Sequence, residues 1–311
     1  MILGMGRRLR VQYSGAIYHL MNRGDRREAI FCDEIDRECF LALLGQACEK
    51  TSWQVHAYCL MPNHFHVVVE TPRPNLVEGM KWLLGTYTGR FNRRHKMVGH
   101  LFSGRYKALI VDRSGTGYLK TVCDYVHLNP ARARLLSPEQ ELREYPWSSW
   151  PAYLGRASRR PGWLRVDRLL GEFGILRDNA AGRLYLETCL EERRAGEEGR
   201  DYRGLRRGWF LGDRASKRAL LEDMKNQLGE NHRGEEVWES ALQHAQSVVG
   251  EELRALGWCE AQLEGRRKGD AGKARIARRL RTETTMSLKW IAERLKMGSA
   301  SMVKHCLQLG S

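Results

Sequence analysis

Two histidines two positions apart, His64 and His66, open a β-branched run that continues through Val67, Val68 and Val69. In a strand, side chains at i and i+2 leave by the same face, so both imidazoles point one way while Phe65 and Val67 point into a core. Neutral imidazole is the commonest protein metal ligand, and an ion held by only two side chains keeps positions open for substrate oxygens or water. Spacing alone favours the plainer reading, a polar sheet face. A second stretch runs from Tyr118 to Arg134. As a helix ending near Pro130 it stacks Tyr125 and Asn129 at i, i+4, so that Asn129 could add an oxygen ligand beside the tyrosine. Against this, tyrosines commonly pack under sheets, and asparagines commonly cap helices before proline.

The elements that must position these residues follow from periodicity. Ala16–Arg23 alternates as a strand and ends in the turn Asn22-Arg23-Gly24-Asp25. Phe40, Leu41, Leu44, Ala47 and Cys48 recur at helical spacing, predicting an amphipathic helix from Asp33 or Asp36 to about Lys50. Trp53–Leu60 and His64–Glu70 read as two strands of a hairpin across Met61-Pro62-Asn63, with His56 taken as a sheet residue and not a ligand. Asn75 to about Arg94 is a helix burying Met80, Leu83, Leu84, Tyr87 and Phe91. The order strand, helix, strand, strand, helix, strand, helix predicts an α+β, ferredoxin-like antiparallel sheet with helices on one face. An aromatic-rich segment, Glu144–Tyr153, closes this unit.

With 311 residues the chain has room for two domains. Its net charge of +15, from 52 Lys+Arg against 37 Asp+Glu, points to a polyanionic partner, nucleic acid or anionic membrane. No apolar run approaches a membrane span and no signal-peptide core opens the chain, so a cytoplasmic protein without membrane attachment is expected. Eight scattered cysteines, none in a C-x-x-C pair, suit reduced thiols buried as small hydrophobes. Cations gather at Arg7, Arg8 and Arg10, at Arg90, Arg93, Arg94, His95 and Lys96, and at Arg132 and Arg134. A helix C-terminus favours some of these through its dipole, but five cations in seven residues exceed that need. Arg105 and Lys107 alternate with Phe102 and Tyr106, which suits phosphates and unstacked bases as well as it suits a solvated sheet edge.

After Gly155 the composition shifts. We expect a unit over 1–155, a linker and helical region over 156–235, and a helical domain over 236–311. The stretch 193–207, crowded with charge and glycine, is expected to be exposed. The end of the chain has the pattern of a helix-turn-helix: Ser287 caps a helix with Leu288, Ile291, Ala292 and Leu295 inward, Lys296-Met297-Gly298 turns, and Ser299 caps a helix with Val303 and Leu307 inward. Ser301, Lys304, His305 and Gln308 then face outward, free to meet a major groove. Helix pairs of this kind also occur in all-α cores.

Taken together, Met61–His66 and Tyr125-Val-His-Leu-Asn129-Pro130-Ala-Arg132-Ala resemble the single-tyrosine HUH transposases, in particular the REP-associated tyrosine transposases. Tyr18–Gly24, Phe91–His95 and Gly99–Tyr106 match the same family in order, so the resemblance spans about Tyr13 to Tyr153. The C-terminal segment resembles, over a short length, the DnaA-like helix-turn-helix of some relatives. The family implies Mg²⁺ or Mn²⁺ held by His64 and His66, with Asn129 as third ligand, polarising a scissile phosphodiester. It implies that Tyr125 attacks in line to leave a 5′-phosphotyrosine and a free 3′-hydroxyl, on single-stranded or hairpin DNA formed by imperfect palindromes. Arg23, Arg90, Arg93, Arg94, Arg105, Lys107, Arg132 and Arg134 would contact that DNA, as would the outward residues of the last helix. Homodimerisation stays open. A non-catalytic hairpin DNA- or RNA-binding regulator on the same domain is the rival reading, and a phosphotransfer or RNA-processing enzyme with water as nucleophile is a third.

Overall fold

The computed structural model of the chain describes residues 11–113, 117–196, 202, 204–205, 208–228 and 235–308, with the side chains of 223–228 and 235–241 excepted. Arg7, Arg8 and Arg10, and most of the charged stretch 197–207, lie outside the described residues.

Four antiparallel strands form the frame: β1 (Ala16–Arg23), β2 (Gln54–Met61), β3 (His64–Thr71) and β4 (Lys107–Val111), in the order β2-β3-β1-β4. The hairpin across Pro62 and Asn63 falls where the sequence predicts it. A fifth strand, β5 (Phe210–Leu211), pairs in parallel with β4 through Ile110 and Val111. The expected purely antiparallel sheet is corrected at this edge. Two apolar residues just past the charged stretch cover β4's backbone donors and acceptors, which an edge strand would otherwise leave exposed.

The helix layer on one face is α1 (Glu34–Thr51) and α2 (Leu76–His95). The Phe40 ring lies 5.0 Å from Phe65 of β3 and 5.1 Å from Tyr87 of α2. Asp33 caps α1 by accepting from the Asp36 amide. Gly79 lets α2 seat directly on Trp53, since a Cβ there would lie 2.2 Å from the indole, whose N–H donates to Asn75. The expectation of helices on one face only is also refined. Phe65 faces α1, so its neighbour His66 faces the other way, where α3 (Tyr118–His127) packs against β2, β3 and β4. A strand buried on both faces explains why β3 is apolar almost without alternation.

After α3 come α4 (Asn129–Arg132) and α5 (Trp150–Leu154). The aromatic segment fastens itself along β2: Tyr145 Oη donates to the Leu60 carbonyl and Tyr153 Oη to the His56 carbonyl, each at 2.7 Å. The first core does not stop at 155. Leu164, Leu169, Leu170, Leu186 and Leu190 join it, from α6 (Asp167–Glu172), α7 (Ala180–Ala195) and the segment before them. Buried Glu70 of β3 draws this region in through ion pairs to Arg165 and Arg168 and a contact to His56.

Beyond α8 (Arg214–Leu228), a second core is built from α9 (Glu235–Ala255), α10 (Gln262–Gly265), α11 (Ala271–Glu283), α12 (Leu288–Arg294) and α13 (Ala300–Gln308). Ile276, Leu280, Ile291, Leu295 and Val303 are buried there, as the spacing predicts for the last three. Lys296 and Gly298 take positive φ between α12 and α13. The two cores meet where α1 touches α11: Lys50 Nζ donates to the carbonyls of Arg281 and Thr282 and lies 5.1 Å from the Trp82 ring. All eight cysteines are free; Cys48, Cys59, Cys123 and Cys306 are buried as expected, whereas Cys32 and Cys259 are exposed. No helix among the described residues is long and apolar enough to cross a membrane.

Candidate active site

The face of the sheet under α3 carries the chemistry. Register places His64 opposite Arg23 and Met61, and His66 opposite Met21 and Cys59, so both imidazoles emerge on one face with the Arg23 side. Their ring centroids are 5.1 Å apart, and the Tyr125 ring stands edge-on to His66 at 5.7 Å. Strand alternation and the α3 crossing thus bring together the three residues singled out from the sequence. Tyr125 is 5% exposed, close beneath the surface.

A third histidine, His19 of β1, completes the group. Its Nε2 lies 2.9 Å from His66 Nδ1, and its ring is 5.7 Å from Tyr125. On the other side, His64 Nδ1 lies 2.7 Å from the Asn63 side-chain oxygen, which can only accept, so His64 carries its proton on Nδ1. Burial pulls His19 and His64 down to about 4, Arg23 adding to the effect on His64. His66 is likewise pushed well below the usual imidazole range, by burial first and then by the neighbouring His19, His64, Arg23 and Arg132. Near neutral pH all three rings are therefore uncharged, the form that ligates metal. With Nδ1 of His64 donating to Asn63, Nε2 of that ring is the atom available for a cation. Two imidazole nitrogens suit a borderline divalent ion, and oxygen donors beside them would suit a harder one.

Asn129 and Arg132 close the α3 end of the site. Asn129 Nδ2 and Arg132 Nη1 both donate to the Tyr125 carbonyl at 2.8 Å, so the amide nitrogen of Asn129 satisfies the helix terminus. The Arg132 guanidinium lies 4.7 Å from the Tyr125 ring centroid and 4.1 Å from that of Tyr202, and the two tyrosine rings are 5.3 Å apart. Asp124 beside the tyrosine is tied to Arg193 of α7; burial nonetheless raises its carboxyl to about 6.

Residues 12–129 match the family described as "Transposase IS200 like". Over this stretch the chain is similar to the IS200-like transposases. No curated protein matches the chain. Among solved structures, one described as "Structure of the REP associates tyrosine transposase bound to a REP hairpin" aligns at 13% identity with a TM-score of 0.41, covering 52% of this chain and 92% of that one.

The fold gathers some of the expected cations near the histidines and leaves others elsewhere. Arg23 stands opposite His64, and Lys107 stands opposite Met21, in the same cross-strand row as His66. Arg105, exposed, lies in the loop whose Ser103 amide donates to the Arg23 carbonyl. Arg134 is exposed just past α4 with a positive φ. Arg90, Arg93 and Arg94 belong to α2, in the layer on the opposite face. Arg94 pairs with Asp33 and Asp36 and so secures the start of α1. Ser301, Lys304, His305 and Gln308 are exposed on α13, remote in sequence from His64, His66 and Tyr125.

Sequence reasoning missed His19 and Tyr202 as site residues. His19 shares its strand face with Met21 and Arg23, which alternation alone could have flagged, but the register that puts it beside His66 is a tertiary fact. Nothing local marks Tyr202, which sits among charges and glycines.

Proposed function

We propose that this chain cleaves and rejoins one strand of DNA through a covalent tyrosine intermediate, with single-stranded or hairpin DNA as substrate. One observation carries the reading: two imidazoles with ring centroids 5.1 Å apart and a tyrosine ring 5.7 Å from His66 converge on one face of the sheet.

His64 and His66 would hold Mg²⁺ or Mn²⁺, with Asn129 as third ligand through its side-chain oxygen. When bound, such a cation withdraws charge from a nonbridging phosphate oxygen and favours attack at phosphorus. Tyr125 Oη forms a bond to phosphorus as the bond from phosphorus to the 3′-oxygen breaks. The phenol loses its proton, and the departing 3′-oxygen takes one up. The product is a 5′-phosphotyrosine, and a 3′-hydroxyl attacking that phosphorus reverses the step and rejoins the strand. Arg132, beside the Tyr125 ring, supplies positive charge that favours the incoming phosphate. Arg23, Arg105, Lys107 and Arg134 would hold phosphates of the approaching strand, consistent with the net charge of +15. The exposed face of α13 would add contacts to a duplex arm.

The test is denaturing-gel trapping with labelled hairpin oligonucleotides from the DNA flanking the gene, in Mg²⁺ or Mn²⁺. A protein–DNA band that survives denaturation and disappears in Tyr125→Phe supports the reading. Cleavage without the band points to water as nucleophile. Binding without cleavage across several metals and hairpins points to a regulator.

A further inference from the structure

The contact between His19 and His66 has a direction that matters. Two ring nitrogens 2.9 Å apart share one proton. If His19 Nε2 carries it, His66 Nδ1 is the acceptor, the neutral His66 ring is protonated on Nε2, and no lone pair remains there for a metal. If His66 Nδ1 carries it, Nε2 of His66 is bare. Only the second arrangement serves a metal site, and it requires His19 to accept.

Burial makes the pair informative. His19 is 2% exposed and His66 1%, on the central strands β1 and β3. Placing two imidazoles there costs desolvation that an apolar pair would avoid, so a merely structural origin is the expensive choice. His64 has the equivalent arrangement with a different acceptor, the Asn63 oxygen, so that both imidazoles of the pair meet a group able to take the Nδ1 proton. We propose that His19 is a positioning residue that accepts the Nδ1–H of His66, fixing the tautomer and ring angle that direct His66 Nε2 at the divalent cation. This rests on the metal reading above and adds to it a third histidine that holds no metal itself.

The experiment uses the full chain labelled with ¹⁵N-histidine. Long-range ¹H–¹⁵N spectra read the tautomer of His66 without metal, and calorimetry reads Mn²⁺ affinity, for wild type, His19→Phe, His19→Gln and His66→Ala. Gln places an acceptor oxygen near the former Nε2, whereas Phe keeps the ring shape without one. Expected are an Nδ1-protonated His66 in wild type and His19→Gln, a loss of that preference in His19→Phe, and Mn²⁺ binding about 10–100-fold weaker in His19→Phe but within about 3-fold of wild type in His19→Gln. A wild-type His66 protonated on Nε2 overturns the proposal even if His19→Phe fails to fold. So does a folded His19→Phe with wild-type tautomer and affinity, or an equal loss in His19→Gln. Wild type that binds Mn²⁺ no better than His66→Ala overturns the metal reading itself, a result distinct from the others.

Discussion

In the proposed reaction, Tyr125 and the histidines make separable demands. Tyr125→Phe removes only the hydroxyl, and its ring contacts to His66 and Tyr202 are kept. Covalent adduct should therefore vanish while hairpin affinity, measured by fluorescence anisotropy, stays within about 3-fold, since phosphate contacts carry most of such binding. His64→Ala removes a candidate ligand and should slow adduct formation by about 100-fold or more, as loss of a group acting on the transition state does. Raising Mn²⁺ should restore part of that rate, and unchanged cleavage in His64→Ala would count against the histidine role. The pair His64/His66 and Tyr125 were legible in sequence because strand period and helix period are local rules. Asn129 was legible as a residue at the right turn, yet its amide nitrogen spans to the Tyr125 carbonyl, the helix-end role that the same spacing also allowed.

At the scale of elements, what holds the site is the seating of helices on both faces of the sheet. Gly79→Ala would gain helix propensity of about 1 kcal/mol. It would also drive a methyl to 2.2 Å from Trp53. Overpacking of this kind costs roughly 1–3 kcal/mol, so we expect net destabilisation, read as a lower urea midpoint. Glu70 gives the sheet a pH dependence. Its contact with His56, then the charges of Arg168 and Arg165, hold the carboxyl down at about 2 against an ordinary 4.5. The unfolded chain takes up this proton first, so the contribution, on the order of 3 kcal/mol, is complete above about pH 4.5 and is lost as pH falls towards 2. Buried His127, depressed to about 3, acts at higher pH: the folded state resists its protonation, so stability drains as pH falls below about 6.5. Asp124, raised by burial, works in the opposite sense and loses stability as pH rises through about 6. Glu70→Gln should flatten the acid limb below pH 4.5 in a chemical-denaturation series, leaving the limb above it unchanged. Strands β1 to β3 and helices α1 and α2 were legible to within a residue or two because their apolar spacing is unbroken, whereas the helix Arg214–Leu228, mostly charged and polar, was not. The parallel β5 and the placement of α3 on the second face were not, because both depend on contacts between segments about 100 and 60 residues apart in the chain.

For the whole molecule, the expected boundary at 155 is a change in composition, while the first core runs on to Leu205 through Leu164, Leu186 and Leu190. Apolar residues spaced among charges gave too thin a pattern to read from sequence. The second core, ending in α12 and α13, offers Lys304 outward. If α13 meets DNA, Lys304→Ala should weaken binding uniformly across sequences and reduce the slope of log affinity against log salt by about 1. An unchanged slope would remove α13 from the interface without touching the chemistry. The central claim is that Tyr125 forms the bond to DNA, and peptide mapping tests it most directly. Adducts formed on a hairpin substrate are trimmed with nuclease and digested with trypsin, and the peptide Thr121–Arg132, which holds one tyrosine, is sequenced by mass spectrometry. A nucleotide linked through phosphate to Tyr125 is the predicted result; a nucleotide on Tyr202 or another side chain, or cleaved DNA with an unmodified peptide, would contradict it.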